Sequence, residues 1–325
     1  MENILRLSVF LGVFVIMAVA ESFWPRRPQQ TRRRDRWPHN LALVILDIAV
    51  LRLVFPVSLA GFALSVNQHQ WGFLPLFGLP FLANIFLTLV FLDLMIYFQH
   101  VTFHKVPILW RLHRVHHADI EFDVTTALRF HPVEILISMA IKFAAVAAIG
   151  APPEAVLFFE IILNACAMFN HGNIALPAKW DQRLRRILVT PDMHRVHHSV
   201  AVAEINSNYG FNISLWDRLF GTYRAQPEQG HDRMKIGLEQ FREKEEMRID
   251  RMLTQPFRHA RLPMVTEAGL DVSRQEVIDL LEGIVGNAGD DVAEAGFGRE
   301  GVERGGLDCG MSEDEALRRS HSRTR

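Results

Sequence analysis

Cysteine is nearly missing from this chain: 325 residues hold two, Cys166 and Cys309. They form no CxxC pair and Cys166 lies in an apolar run, so neither a disulfide framework nor a cysteine zinc knuckle is written here. A dominant charge is missing too. With 35 Lys+Arg against 36 Asp+Glu the net charge is −1, and nothing global would draw the chain to nucleic acid. No HExxH places a glutamate between paired histidines as a hydrolytic base. There is no GxSxG, no P-loop, and no haem or flavin signature. What is abundant is apolar residues, 49%, crowded into the first half and scarce in the last hundred positions. Histidine is abundant as well. Of 15 histidines, the ten at His100, His104, His113, His116, His117, His131, His171, His194, His197 and His198 fall in one central zone.

The apolar runs predict an all-α integral membrane protein. Leu5 to Phe23 matches the roughly 20 residues of one span. It lacks a basic leading segment and a small-x-small cleavage site, so it reads as a retained anchor. Pro25 to Trp37 carries six arginines, the mark of a cytoplasmic loop, with Trp24 and Trp37 suited to the interfacial belt. A second span, Asn40 to Val66, contains Asp47 and Arg52. Their insertion cost predicts that both face protein or snorkel, as a mutually satisfied pair rather than a proton path. A third helix, Phe81 to Gln99, leads into His100. Glu134 to Ile149 and Glu154 to Phe169 flank GAPP and form a hairpin that spans or dips and returns to the face it left. From Lys179 onward the chain reads as soluble, with a charged amphipathic helix over Leu238 to Leu253. The expected divisions are 1–80 (anchoring spans and the arginine loop), 81–225 (catalytic region), 226–282 (cytosolic helical extension) and 283–325 (disordered tail). With the arginine loop cytoplasmic, every clustered histidine falls on the cytoplasmic surface, in a helical cap over the bundle.

Three histidine boxes carry the chemistry. In DLMIYFQHVTFH, the residues Asp93, Tyr97, His100 and His104 share one helical face. His100 and His104 can hold one metal, with Asp93 and Tyr97 deeper on that face to bond ring N–H groups. The word HRVHH occurs twice, at His113, His116 and His117 and at His194, His197 and His198. Spacing of three and four puts three imidazoles on one face. An i, i+4 pair can share an ion while the third ring reaches a neighbouring one. Eight imidazoles exceed the four or six ligands of a single ion, so the arithmetic predicts two metals. Imidazole alone does not choose between Fe, Zn, Cu and Ni. The site's place beside the bilayer, and the missing hydrolytic motifs, favour redox chemistry on an inert lipid C–H bond. A metal-dependent membrane hydrolase and a non-catalytic metal-binding or transport protein are the competing readings.

From about Leu82 to Arg224 the chain resembles the sterol desaturase / fatty acid hydroxylase superfamily of membrane-bound di-iron oxygenases. The likeness rests on DLMIYFQHVTFH, RLHRVHH, RFHPVE, NHGN, TPDMHRVHHS and NYGFNISLWDRLFGTY. It implies two iron ions (which zinc can displace during purification), dioxygen, an external electron donor, and hydroxylation or desaturation of a lipid such as a sterol, fatty acyl group or ether lipid. The family's ligand positions carry over to the eight box histidines and to His171 of NHGN. No histidine stands four residues from His171 on either side, where Ala167 and Ala175 lie, so a fuller ligand set is not expected. His131 of RFHPVE is a candidate ligand or hydrogen-bond donor to one, and Arg129 and Glu134 are expected to brace the cap. Asn208 either orients a ligand or shapes a turn. LWDRLFGTY, Leu215 to Tyr223, is expected to pack and close the cap. His39, His69, His231, His259 and His321 receive no role.

Overall fold

The computed structural model describes residues 2–258. The tail 283–325, the end of the 226–282 extension, His259 and His321 lie outside the described residues. Among the described residues the fold is all-helical, with only isolated bridges and no strand.

Five segments are long and apolar enough to cross a membrane: Ile4–Phe23, Arg33–Gln68, Phe81–Lys105, Pro132–Ile149 and Pro153–Asn170. The first is helix α1 (Glu2–Phe23). The second differs from the single span expected. It consists of α2 (Arg33–Val54) and α3 (Leu59–Gln68), broken between them. The cause is local. Pro56 lacks an N–H and pushes Phe55 out of the helical region (φ −118, ψ 83), and Ser58 restarts the helix by accepting from Gly61 N at 3.0 Å. Asp47 and Arg52 do not pair. Five residues apart on a helix they point to different sides; Asp47 is buried and Arg52 exposed.

The third span, α4 (Phe81–Lys105), runs on past Gln99 because nothing breaks it before Val106-Pro107. His100 and His104 are thereby carried on the spanning helix itself. Helix α5 (Pro107–His117) starts at once, its proline at a position that needs no N–H. Helices α6 (Pro132–Ile149) and α7 (Pro153–Asn170) form the hairpin, each about 27 Å long at 1.5 Å per residue. Gly150 makes the reversal at φ 72, and a Cβ there would lie 2.3 Å from Trp71 O. One apolar core joins α3, α4, α6 and α7 through Leu92, Val146, Ile149 and Phe159. A second packs α1 on α7 around Met17 and Met168.

The remaining helices are short: α8 (Ala178–Leu184), α9 (Pro191–His197), α10 (Val202–Ile205), α11 (Leu215–Leu219), α12 (Gly230–Arg233) and α13 (Ile249–Thr254). The amphipathic helix expected over Leu238 to Leu253 does not form. Phe241 sits at φ 61, and Arg242 donates to Ile236 O and Leu238 O, so the segment bends and only its last part is helical. Leu238, Met247 and Met252 bury themselves separately in the cap instead of along one stripe.

The arginine loop is also more than a charged exterior. Arg36 is fully buried and donates to Asp119 (2.7 Å) and Asp123 (2.9 Å). Arg26 pairs with Asp192 and Asp232, and Arg27 donates to Met234 O. Trp37, expected at the interface, donates its Nε1–H to Asp123 instead. The loop is a strap that ties the first two spans to both histidine-bearing segments.

Candidate metal centre

Nine histidines converge in two groups. His100, His104, His113, His117 and His197 form a pentad; His116, His171, His194 and His198 form a tetrad. Within each group one nitrogen per ring lies within 4.8 Å of the others. The groups abut, the His117 and His198 rings stacking 4.5 Å apart. The two HRVHH words divide between them. Each gives its i, i+4 pair to one group and its odd ring to the other: His113 and His117 with His197, and His194 and His198 with His116.

Each element delivers its rings for a local reason. Helix α4 stacks His100 over His104 one turn apart. Helix α5 presents His113, His116 and His117 on its last turns, and Arg129 Nε donates to Val115 O within that box. Asp119, directly after the box, is fixed by Arg36 and Thr126. In α9, Thr190 caps the N-terminus by accepting from Met193 N, and Arg195 pairs with Asp192 and reaches Gly172 O. His171 is the residue that ends α7.

Four rings have their tautomer set by an acceptor on Nδ1. His100 donates to Tyr209 O at 2.8 Å, His197 to Ser207 O at 2.7 Å and His171 to Ala167 O at 2.7 Å. His113 donates to the Glu134 carboxylate at 2.7 Å. In these rings Nε2 is left as a bare lone pair. Yet His100 Nε2 lies 3.1 Å from His113 Nε2 and 3.0 Å from His197 Nε2. Lone pairs facing each other at that distance, with no proton available between them, repel unless a cation sits among them. In addition His104 Nε2 and both ring nitrogens of His117 and His198 are buried without any partner. The donor set therefore fits metal ions, and neutral imidazole suits iron as well as zinc.

Burial keeps the rings neutral. It pushes His113 and His171 down to about 3, and His116, His117, His194, His197 and His198 well below the ordinary histidine value; the neighbouring imidazoles push most of them the same way. A neutral ring is the form that binds metal.

Several candidates of the sequence take other places. Asp93 accepts from Trp216 Nε1 (2.7 Å) and Ile213 N, and bonds no imidazole. The Tyr97 hydroxyl meets Thr222 Oγ1. His131 caps α6, accepting from Val133 N, and its other nitrogen faces Leu253 O, so it stays outside both groups. Asn208 adopts φ 52 and donates to Met193 O and Arg224 O, which makes it the turn that closes this part of the cap. Asp217 accepts from Tyr209 N and Gly210 N, and a Cβ on Gly210 would lie 2.6 Å from it, so this knot aims Tyr209 O at His100.

Sequence reasoning missed the orienting role of Glu134, which lies 21 residues from His113. It also missed the carbonyls of Ala167, Ser207 and Tyr209, which leave no trace in side-chain identity.

Residues 85–222 match the family model of fatty acid hydroxylase. The chain is similar to ornithine lipid hydroxylase OlsE of Rhizobium tropici, 29% identical over 67% of this chain and 67% of that protein. It is similar to alkylglycerol monooxygenase of Xenopus tropicalis, 28% identical over 69% of this chain but 48% of that protein, so the chain spans about half that relative's length. It is also similar to Delta(7)-sterol 5(6)-desaturase ERG3B of Gibberella zeae, 24% identical over 69% of each. No solved structure matches. The histidine boxes fall inside the matched region, with His100 and His104 on a spanning helix, and the match and these relatives support a likeness to the sterol desaturase / fatty acid hydroxylase superfamily.

Proposed function

We propose that this protein is an O2-dependent di-iron oxidoreductase that inserts oxygen into, or desaturates, a membrane lipid. The observation that carries the reading is the division of nine neutral imidazoles, eight of them buried and His104 half-buried, into two abutting groups, each with enough donors for one ion. A metal pair so held supplies activation of dioxygen toward an unactivated C–H bond. The chain's own residues do the rest. The pentad and tetrad rings hold the ions. Glu134 and the carbonyls of Tyr209, Ser207 and Ala167 keep each orienting N–H away from the metal side. Burial of every ring but the half-exposed His104 keeps bulk water from the reacting centre.

The substrate class is lipid because His100 and His104 end a helix long and apolar enough to span a bilayer. The names of two of the relatives, a lipid hydroxylase and an alkylglycerol monooxygenase, favour hydroxylation over desaturation. Electrons come from an external donor, in keeping with a sequence that has no flavin or haem signature of its own. The arginine-rich loop beside the first two spans supports a cytoplasmic position for the centre.

The test is a lipid extract from cells expressing the intact protein compared with cells expressing His116→Ala. Lipids heavier by one oxygen atom are expected only with the intact protein, together with about two iron ions per purified chain. Turnover that persists without oxygen or reductant would return the hydrolase reading.

A further inference from the structure

We infer that residues 175–188, with α8, and 213–225, with α11, form a foot that sits in the membrane leaflet on the metal-centre side and prefers anionic lipid. The sequence had put everything after Lys179 in water. The structure leaves Trp180 57%, Ile187 67%, Leu215 52%, Leu219 65% and Phe220 45% exposed. Five large apolar side chains in two short segments are a costly surface to leave in water.

These segments form one unit. Leu188 and Ile213 bridge, Ser214 N donates to Ile187 O, and the Ser214 hydroxyl and Arg218 both donate to Arg185 O. The unit is fastened to a spanning helix below its cap end. Trp216 donates to Asp93, and Phe220 stacks on Tyr97 with ring centres 5.3 Å apart. Asp93 lies seven residues, roughly 10 Å, before His100 on α4. Phe98, exposed on the same helix, also packs against Phe220. The foot therefore lies alongside a helix surface that the bilayer covers.

The charge pattern selects the lipid. In 175–188 and 213–225 every exposed or half-exposed charged side chain is cationic: Lys179, Arg183, Arg186, Arg218 and Arg224. The acids there are buried and already engaged, Asp181 by Arg185 and Asp217 by Tyr209, Gly210 and Thr222. Of these only Arg224 has an acidic partner, Glu204 at 4.0 Å, and apolar side chains flanked by such exposed cations are the pattern of an interfacial element on an anionic leaflet.

The experiment uses the full chain with Cys166 and Cys309 replaced by Ala, reconstituted into vesicles that carry nitroxide-labelled acyl chains. An environment-sensitive fluorophore is placed at Ile187→Cys, at Leu219→Cys, or at the exposed polar position Glu239→Cys. Acyl-chain quenching several-fold stronger at 187 and 219 than at 239, with aqueous iodide giving the reverse order, is the expected result. Iodide reaching all three equally would overturn the foot. Quenching at 187 should deepen when phosphatidylglycerol is added to phosphatidylcholine, and Arg183→Glu with Arg186→Glu should remove that dependence. Identical quenching of the otherwise unaltered chain in both lipid mixtures would overturn the anionic preference.

Discussion

The pentad and the tetrad are built from the same two sequence words, yet they are held differently. In the pentad three of five rings have Nδ1 fixed by an acceptor: His100, His113 and His197. In the tetrad only His171 does, while His116, His194 and His198 have a partnerless Nδ1. A ring whose tautomer and direction are already set loses less freedom when it binds an ion. The pentad is thus the pre-organised site and the tetrad the adaptable one. With five donors against four, the tetrad also leaves more room in a coordination sphere for something that is not protein.

The largest effect is expected from removing a ring. His197→Ala should cut the pentad and His194→Ala the tetrad, each bringing turnover to background while membrane insertion is kept. Iron analysis should then find the tetrad variant retaining close to one tight ion, and the pentad variant holding its remaining ion more weakly. Equal retention in the two variants would erase the distinction between the groups.

Next comes a change that strikes both groups together. Arg36→Met leaves Asp123 buried without its cation and Asp119 with only Arg129 at 3.9 Å, at a cost of about 3–5 kcal/mol. Burial by itself would raise Asp123, but the facing Arg36 guanidinium holds its carboxyl below the usual range. Because the HRVHH box ahead of Asp119 supplies both groups, thermal unfolding of the detergent-solubilised protein should fall and both metals should weaken in parallel. A loss confined to one group would show that the strap does not brace the shared box.

A smaller and selective effect is expected from Glu134→Gln. It removes the carboxylate on His113 and should weaken pentad metal affinity about 10- to 100-fold, leaving the tetrad unchanged. The tetrad has no equivalent side chain to mutate, since its one fixed ring leans on the Ala167 carbonyl.

The mildest test is pH. Each ring is neutral in the fold, with His113 and His171 held down to about 3 against an ordinary value near 6.5. A depressed histidine contributes stability that is present above about 6.5 and is lost as pH falls toward about 3, because below 6.5 the unfolded chain takes up protons the fold refuses. Apo-protein stability should fall steadily over that window. Metal release on acidification should begin in the tetrad, where fewer rings are fixed. Release from both groups at one pH would remove the asymmetry.

Much of this was legible in the sequence. The spacing of histidines by three and four is read off a helix directly, because neighbours on a helical face are also neighbours in the chain. The spans followed from apolar run length, and the α6–α7 hairpin from Gly150 and the prolines after it. The break at Pro56 was legible too but was overridden by the apolar run around it. Asp93 and Tyr97 were placed on the correct helical face, but Trp216 and Thr222, more than a hundred residues later, took their polar atoms. The failed helix at Leu238 to Leu253 had helical composition, and burial of Leu238 against Trp110 and Ile205 outweighed it.

By itself the sequence determined the donor chemistry, an imidazole-only set beside apolar spans, because ligand type and helical spacing are local properties. Only the tertiary structure decided how the two HRVHH words interleave and which rings are fixed. It also left large apolar side chains exposed on a segment that reads as soluble. Each of these depends on contacts between residues distant in the chain, many of them to backbone carbonyls that every residue possesses alike.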